Sequence, residues 1–410
     1  MDNPFLIAKQ FLAEHSVGRE PRLRYWNGEW YRWTGCAYRN SSTDEIKKAI
    51  ATYLRKARLP VSRSSMNAVL EMVRLVTLVQ DSTVPTWLSK RQPHPAEQIV
   101  AVKNGLLHLP SLLKGRSTLL PHTPAFFTLN ALSYDYHKDA TCPKWEHFLS
   151  EIWEDDAESI RILQEWFGYL LLPDTHQQKF LMLIGPTRSG KGTIARVVRA
   201  MLGAENVASP TMRSLSGSFG LWGLVGKLLA IVPDASVAKT SDSLVELIKS
   251  LSGEDALDIE RKNCCSLSSV NLKARLMIIA NHLPGMHDPS GALGQRILAL
   301  ETTRSWAGKE DRHLTDKLFA ELPRILVWSL AGWRRLQKRG YFRQPQSSQH
   351  LVRQYTCIPP VHAMRNMHRV KAAASNSVRP ARAHSDAGEV NISVNQDTIN
   401  IMIRQRAATK

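Results

Sequence analysis

One nine-residue stretch, Gly185-Pro186-Thr187-Arg188-Ser189-Gly190-Lys191-Gly192-Thr193, limits what this 410-residue chain can fold into. An apolar run precedes it at residues 180–184, and residues 194–202 after it have the apolar spacing of an amphipathic helix. A strand, a glycine-rich turn and a helix in this order are typical of a phosphate-binding loop, or P-loop. The stretch therefore predicts an α/β core with an anion site at a helix N-terminus.

The chemistry of a P-loop explains why these residue types are needed. Backbone N–H groups of the turn and of the helix N-terminus point inward and bind phosphate oxygens. Glycine lets the backbone approach phosphate without a Cβ clash. Lys191 is expected to lie between the β- and γ-phosphates of ATP. Gly192 stands where most such loops have Ser or Thr, so Thr193 is the hydroxyl expected to reach Mg²⁺.

Four short apolar runs share the texture of buried parallel strands. They lie at residues 180–184, 228–232, 276–280 and 297–300, and helical segments such as 194–202 and 243–251 separate them. Strands in a parallel sheet are apolar throughout because helices cover both faces. The pattern predicts an α/β nucleotide-binding core.

Polar or charged residues stand at the ends of three of these runs. Asp234 is expected to hold Mg²⁺ or to polarise the attacking water, with a turn-capping carboxylate as the alternative. It stands alone, because Pro233 precedes it where most P-loop ATPases carry a second acid. Asn281 is expected to contact the γ-phosphate or to orient water. Arg296 is either a surface residue or an arginine finger that reaches a neighbouring subunit's nucleotide.

Ahead of this core, the sequence predicts a mainly helical N-terminal domain with a small β-hairpin. Asn27-Gly28 lies between aromatic residues and favours a type I′ turn in residues 24–33. Those aromatics either pack a small sheet or stack nucleic-acid bases. Residues 43–79 have helical periodicity with a break at Pro60. We expect an N-terminal domain at 1–150, an ATPase core at 151–345 and a basic, flexible tail at 346–410.

Composition narrows the class of protein. Lys and Arg total 54 against 36 Asp and Glu, a net charge of +18, which favours a polyanionic partner such as nucleic acid. The five cysteines include no C-x-x-C pair, which argues against a zinc site and a disulfide framework and indicates a reducing cytosol. No apolar run approaches the roughly 18–20 residues that span a bilayer, so no membrane association is expected.

The ordered motifs resemble a known family. The P-loop, KLLAIVPDA, LSGEDALDIERK, RLMIIANHLP and DPSGALGQRILAL together resemble the superfamily 3 helicase domain of the phage and plasmid primase family, which is related to the poxvirus primase-helicase. The resemblance runs from about residue 25 to residue 350. It implies a homo-oligomer, a hexameric ring of AAA+-like ATPase cores, that threads single-stranded DNA and hydrolyses ATP between subunits.

The resemblance also implies roles for particular residues. Lys191 would be the Walker A lysine, Asp234 the Walker B acid, Asn281 the polar sensor and Arg296 a finger acting in trans. Arg261 and Lys262 match the segment that leads to a DNA-contacting hairpin, although a solvated charge pair is the alternative reading.

Two departures from the family pattern qualify these implications. The 24 residues before the hairpin leave no room for a primase domain, so a separate primase or other replication proteins are expected partners. The compact module that tends to close family members is not recognisable after residue 361.

Together these features predict an ATP-dependent DNA helicase or translocase of phage or plasmid replication, in the cytoplasm of a bacterial host. One alternative is a small-molecule phosphotransferase, since nucleoside monophosphate kinases also use G-K-G-T. The other is a non-catalytic DNA-binding prophage remnant. DNA-stimulated ATP turnover distinguishes the first interpretation from both alternatives.

Overall fold

The computed structural model describes residues 3–80, 83–90, 92–116, 119–233, 241–262, 265–286, 288 and 290–356, and the backbone of two short strands near the C-terminus. Residues Met1–Ile358 form one compact unit and Pro359–Lys410 another. The predicted boundary near residue 150 lies inside the first unit. Asp234 lies outside the described residues.

Three N-terminal helices form the first layer: α1 (Pro4–Glu14), α2 (Thr43–Lys56) and α3 (Arg63–Thr77). Helix α2 begins with a capping box, because Ser42 Oγ accepts from the Glu45 N–H at 3.2 Å and the Glu45 carboxylate accepts from the Ser42 N–H at 3.0 Å. Its buried face is Ile46, Ile50, Tyr53 and Leu54, as the periodicity predicts.

Short strands and one short helix fill the rest of this region. The strands are β1 (Ser16–Val17), β2 (Glu20–Pro21), β3 (Leu23–Trp26), β4 (Glu29–Trp33), β5 (Tyr38–Ser41), β6 (Thr86–Trp87), β7 (Ile99–Val102), β8 (Gly105–His108), β9 (Leu119–Leu120) and β10 (Phe126–Phe127), and the helix is α4 (Leu109–Leu113). Strands β3, β4 and β5 form one antiparallel sheet, and β7, β8 and β9 form another.

The hairpin β3–β4 has the predicted turn. Asn27 and Gly28 have φ values of 48° and 81°, so both central residues are left-handed, as a type I′ turn requires. Trp26 and Trp30 are buried. The aromatic residues of this hairpin therefore include core residues, which supports the packing interpretation.

The main sheet has five parallel strands, in the order β12, β13, β16, β11, β17. Their bounds are β11 (Phe180–Ile184), β12 (Val207–Ala208), β13 (Leu229–Val232), β16 (Arg275–Ala280) and β17 (Ile297–Glu301). The strands β14 (Leu257–Ile259) and β15 (Leu267–Val270) form a separate antiparallel hairpin between β13 and β16 in the chain. The α/β class is confirmed. The two-residue strand β12 is an addition to the four predicted strands.

Helices cover both faces of this sheet. They are α5 (Pro143–Trp153), α6 (Ala157–Tyr169), α7 (Lys191–Leu202), α8 (Met212–Leu215), α9 (Asp242–Gly253), α10 (Ala292–Arg296), α11 (Leu314–Phe319), α12 (Leu322–Arg339) and α13 (Gln349–Thr356). One apolar core lies between the sheet and α5, α6, α7 and α12, and a second lies on the opposite face. No helix of the described residues is both long and apolar enough to cross a membrane.

Helix α13 packs against the core, so the core extends beyond residue 345, where it was predicted to end. Its Leu351 and Tyr355 are buried, and the Tyr355 hydroxyl donates to the Pro284 carbonyl at 2.5 Å. The predicted tail therefore begins with a packed helix. In the second unit the described backbone consists of β18 (Val394–Asn395) and β19 (Thr398–Ile399), which pair antiparallel.

Candidate functional site

The glycine-rich stretch forms a turn between β11 and α7. Gly185 has a φ of 149° and Gly190 a φ of 91°, values that L side chains rarely adopt. A Cβ at Gly185 would lie 2.0 Å from the Thr302 carbonyl oxygen, and one at Gly190 would lie 2.6 Å from Ile152 Cδ1. Both positions therefore need glycine, for backbone conformation and for space.

Lys191 is the first residue of α7 and is folded back over the turn. Its side chain is nearly buried, with the residue 5 % exposed. Its ammonium donates to the carbonyls of Gly185 and Pro186 at 2.6 and 2.7 Å, and to Ser189 Oγ at 3.2 Å. A buried ammonium costs free energy unless it is paired, so the turn and the lysine hold each other in place.

The segment after β17, residues 302–306, forms hydrogen bonds to the turn and acts as its brace. Ser189 Oγ lies 2.7 Å from Thr302 Oγ1. The Thr187 carbonyl accepts from Ser305 Oγ at 2.8 Å, and the Arg188 carbonyl accepts from the Trp306 N–H at 2.9 Å.

Sequence reasoning did not find Thr302, Ser305 or Trp306 as loop contacts. Their role depends on β17 lying beside β11, and no local pattern reveals that order.

Asn281 lies near the glycine-rich turn. Strand β16 pairs with β11, with Ala280 opposite Ile184, so the residues that follow both strands lie at the same edge of the sheet. A cavity of about 930 Å³ is lined by Lys191, Thr193 and Asn281 together. The carboxyl edge of a parallel sheet is where open α/β folds bind ligands.

Thr193 makes one notable contact. Its Oγ1 accepts a hydrogen bond from Arg196 Nη2 at 3.0 Å.

Strand β13, which leads to Asp234, lies on the far side of β16 from β11. Among the described residues, no cluster of three His, Cys, Asp or Glu side chains is placed to hold a metal ion. Mg²⁺ binding by Thr193 and Asp234 therefore stays a prediction.

The cavity is lined by more positive than negative charge. Within the described residues its lining has seven Lys or Arg side chains against three carboxylates. The cations are Lys144, Arg188, Lys191, Arg196, Lys309, Arg312 and Lys317, and the acids are Glu151, Glu310 and Asp311.

Two of these acids form ion pairs with cations of the same cavity lining. Arg188 Nε lies 3.4 Å from Glu310, and Lys317 Nζ lies 2.7 Å from Asp311. The hydrogen bond from Lys317, together with one from the His313 N–H, holds the pKa of Asp311 below its usual value. The remaining surplus of positive charge suits a polyanion such as a triphosphate.

Arg296 lies away from this cavity. Ile297 pairs with Phe180, so Arg296 stands at the amino edge of the sheet, whereas Lys191 stands at the carboxyl edge. Strand β11 separates the two edges by about 13 Å at the usual rise of a strand. The Arg296 guanidinium donates to the Lys249 carbonyl at 2.5 Å and to Ser252 Oγ at 3.5 Å, at the C-terminus of α9. In this chain Arg296 does not contact the P-loop.

Arg261 is engaged within the chain, contrary to the expectation of a free DNA contact. Its Nη1 donates to the Asn27 carbonyl at 2.7 Å, and its Nη2 lies 3.3 Å from a Glu29 carboxylate oxygen. The guanidinium stacks 3.9 Å above the ring of Trp222. The side chain is only 9 % exposed. The neighbouring Lys262 is exposed and follows β14 in the connection to β15.

Two family models match successive parts of the chain. The model "D5 N terminal like" matches residues 8–154, and a family of unknown function, DUF5906, matches residues 183–296. The second match includes the P-loop, Asn281 and Arg296.

The chain is also similar to individual known proteins. It is 27 % identical over 79 residues to the uncharacterized mitochondrial protein ymf21 of Marchantia polymorpha, which is 19 % of this chain and 44 % of that protein. The chain thus spans less than half the length of that relative.

Solved structures extend the similarity over most of the chain. One apo structure of the NrS-1 C-terminal region matches with a TM-score of 0.54 and 14 % identity, and covers 92 % of this chain and 81 % of that chain. Another matches with a TM-score of 0.56 and 10 % identity, and covers 92 % and 84 %. At these identities the likeness establishes a shared fold.

Proposed function

We propose that this chain is an ATP-dependent DNA helicase or translocase that acts in phage or plasmid replication. The observation that carries the proposal is the P-loop itself. Gly190, the buried Lys191 and Asn281, which follows the adjacent strand, line one cavity that carries more positive than negative charge. The matches to the D5 N-terminal model and to the NrS-1 C-terminal fold support a replication role.

The residues of this cavity fit the phosphates of ATP. The loop from Gly185 to Gly190 ends in a left-handed residue immediately before α7, so a phosphate in the turn would meet the first N–H groups of that helix as well as Lys191. Lys191 would exchange its carbonyl partners for phosphate oxygens, which are stronger acceptors because they are charged. Asn281 would orient the attacking water or contact the γ-phosphate.

Thr193 and Asp234 would hold Mg²⁺ in this site. When bound, Mg²⁺ neutralises charge on the phosphate oxygens. The Thr193 hydroxyl lines the cavity and keeps a lone pair beyond the one that accepts from Arg196.

The proposal further includes an AAA+-like core that works as a hexameric ring. Arg296 is too far from its own P-loop to act there, which suits a finger that completes the site of the next subunit. Single-stranded DNA would thread the ring and be contacted by Lys262, with further cations from the surplus of +18.

The test is the ATPase rate of the full chain with and without single-stranded DNA, together with native mass. We expect turnover that DNA stimulates and an oligomer of this chain. Turnover by a monomer without DNA stimulation would favour the phosphotransferase alternative. Absence of turnover with retained DNA binding would favour the non-catalytic remnant.

A further inference from the structure

The residue after the P-loop lysine leaves a space that another side chain occupies. A Cβ built on Gly192 would lie 3.5 Å from Arg196 Nη1, an ordinary van der Waals distance. Arg196 is one helical turn further along α7, and long helical side chains point back toward the N-terminus. Its guanidinium therefore lies where a serine or threonine at position 192 would project.

The same guanidinium is held toward the loop by a hydrogen bond. Arg196 Nη2 donates to Thr193 Oγ1 at 3.0 Å, and Arg196 and Lys191 line the same cavity. Within the described residues, no carboxylate lies within ion-pair distance of Arg196. Its charge is thus available to a ligand.

This arrangement is electrostatically costly without an anion. A helix N-terminus carries partial positive charge, so cations are unfavourable in its first turns. Here both the Lys191 ammonium and the Arg196 guanidinium lie at the N-terminus of α7. A polyphosphate would relieve this repulsion, and guanidinium binds phosphate through two parallel hydrogen bonds.

We propose that Arg196 is a nucleotide-binding residue whose guanidinium contacts the phosphates beside Lys191, in place of the hydroxyl that usually follows the P-loop lysine. The inference rests on the proposed nucleotide site and concerns binding, not hydrolysis. In ordinary P-loops that hydroxyl binds Mg²⁺, which in turn contacts the phosphates. A direct contact from Arg196 makes nucleotide binding depend little on Mg²⁺.

The experiment measures equilibrium binding of ATP to the full chain, by titration calorimetry, in Mg²⁺ and in EDTA. We expect wild-type affinities of the same order in both conditions. Arg196→Ala should lower the affinity in EDTA by about tenfold or more, since it removes charge-assisted hydrogen bonds. Arg199→Ala is the matched control, because Arg199 is exposed on the same helix, contacts Ser209 and does not line the cavity.

A double variant sharpens the test. Gly192→Ser combined with Arg196→Ala restores the usual hydroxyl and removes the guanidinium, so its ATP binding should require Mg²⁺. Equal affinities of wild type and Arg196→Ala in EDTA, or wild-type binding that EDTA abolishes, would overturn the inference.

Lys191→Ala separates this failure from failure of the proposed function. If Lys191→Ala loses ATP binding while Arg196→Ala does not, the P-loop assignment stands and only the role of Arg196 falls. If Lys191→Ala binds ATP as wild type does, the nucleotide site itself is wrong, and the inference about Arg196 falls with it.

Discussion

Lys191 and Arg296 are two cations at opposite edges of one sheet, and their surroundings differ in kind. Lys191 is enclosed by a turn that glycines shape and that the segment after β17 braces. Arg296 lies partly exposed at the C-terminus of α9, where it binds backbone carbonyl oxygen. The carboxyl edge thus encloses its cation within a turn, whereas at the amino edge a carbonyl oxygen near the end of α9 binds the cation.

The two edges differ in whether a nucleotide site could be completed within one chain. The Lys191 site contains its own loop, cavity and neighbouring Asn281 within one chain. Arg296 can reach a nucleotide only if another subunit brings one to the amino edge.

Lys191→Ala should reduce ATP turnover to background. The ammonium is the cation that the loop encloses, and Ala leaves no charge at position 191 to contact the β- and γ-phosphates. Steady-state phosphate release measures the effect, and Arg199→Ala, which removes an exposed cation from the same helix, is the control. Turnover near that of wild type would remove Lys191 from the reaction.

Arg296→Ala should leave ATP binding intact and lower hydrolysis by roughly 10³–10⁵-fold, the usual contribution of an arginine finger. Arg296→Lys keeps a cation at the end of α9 but lacks the planar fork. We therefore expect Arg296→Lys to have a higher melting temperature than Arg296→Ala, but an equally low rate of ATP hydrolysis. Recovery of both would mean that Arg296 serves the helix alone.

Mixing the two inactive variants tests the trans arrangement directly. A Lys191→Ala subunit still presents Arg296, and an Arg296→Ala subunit still has a working P-loop. Mixed oligomers should regain part of the ATPase activity that neither variant shows by itself. A monomer with full DNA-stimulated turnover would exclude a role in trans.

A pair of glycine substitutions compares the rigidity of the two edges. Gly185→Ala places a Cβ against the Thr302 backbone at a positive φ and should lower the free energy of unfolding by about 2–4 kcal/mol. Gly253→Ala meets only the far end of the Arg296 side chain, which can move, and should change it by less than about 1 kcal/mol. Denaturant unfolding measures both. Equal losses would show that the amino edge is as tightly built as the P-loop.

Lys262→Ala should have the smallest effect, on DNA alone. If Lys262 contacts one phosphate, the slope of log affinity against log salt should fall by about 0.7–1. Arg261→Ala is the contrasting variant, because its guanidinium binds Asn27 and Glu29. It should lower stability and leave the slope unchanged. A slope that follows Arg261 and not Lys262 would reverse the two roles.

The elements that were predicted correctly have strong local patterns. The four apolar runs became β11, β13, β16 and β17, and the Asn27-Gly28 turn formed because its residues suit positive φ. Strand β12 has only two residues, too few for a periodicity to show. Helix α13 was missed because it buries few apolar residues, mainly Leu351 and Tyr355.

Contacts between distant segments were beyond reach of local patterns. The bond between Ser189 and Thr302 joins residues 113 positions apart, and Arg261 meets Asn27 across 234 positions. Such contacts depend on strand order and on how the N-terminal hairpin packs, neither of which is encoded in a neighbouring motif. The glycine-rich turn between a strand and a helix was therefore predictable, whereas its contacts with the segment after β17 and the partners of Arg261 were not.

The brace behind the P-loop has a consequence for synthesis of the chain. At ribosomal rates of roughly 5–20 residues per second, the 113 positions between Ser189 and Thr302 take roughly 6–23 s to translate. During that interval the nascent chain already carries the complete GPTRSGKGT motif but lacks the residues that fix its shape. A gene truncated between α7 and β17 would encode a recognisable motif without the hydrogen-bonding partners that Thr302, Ser305 and Trp306 supply to it.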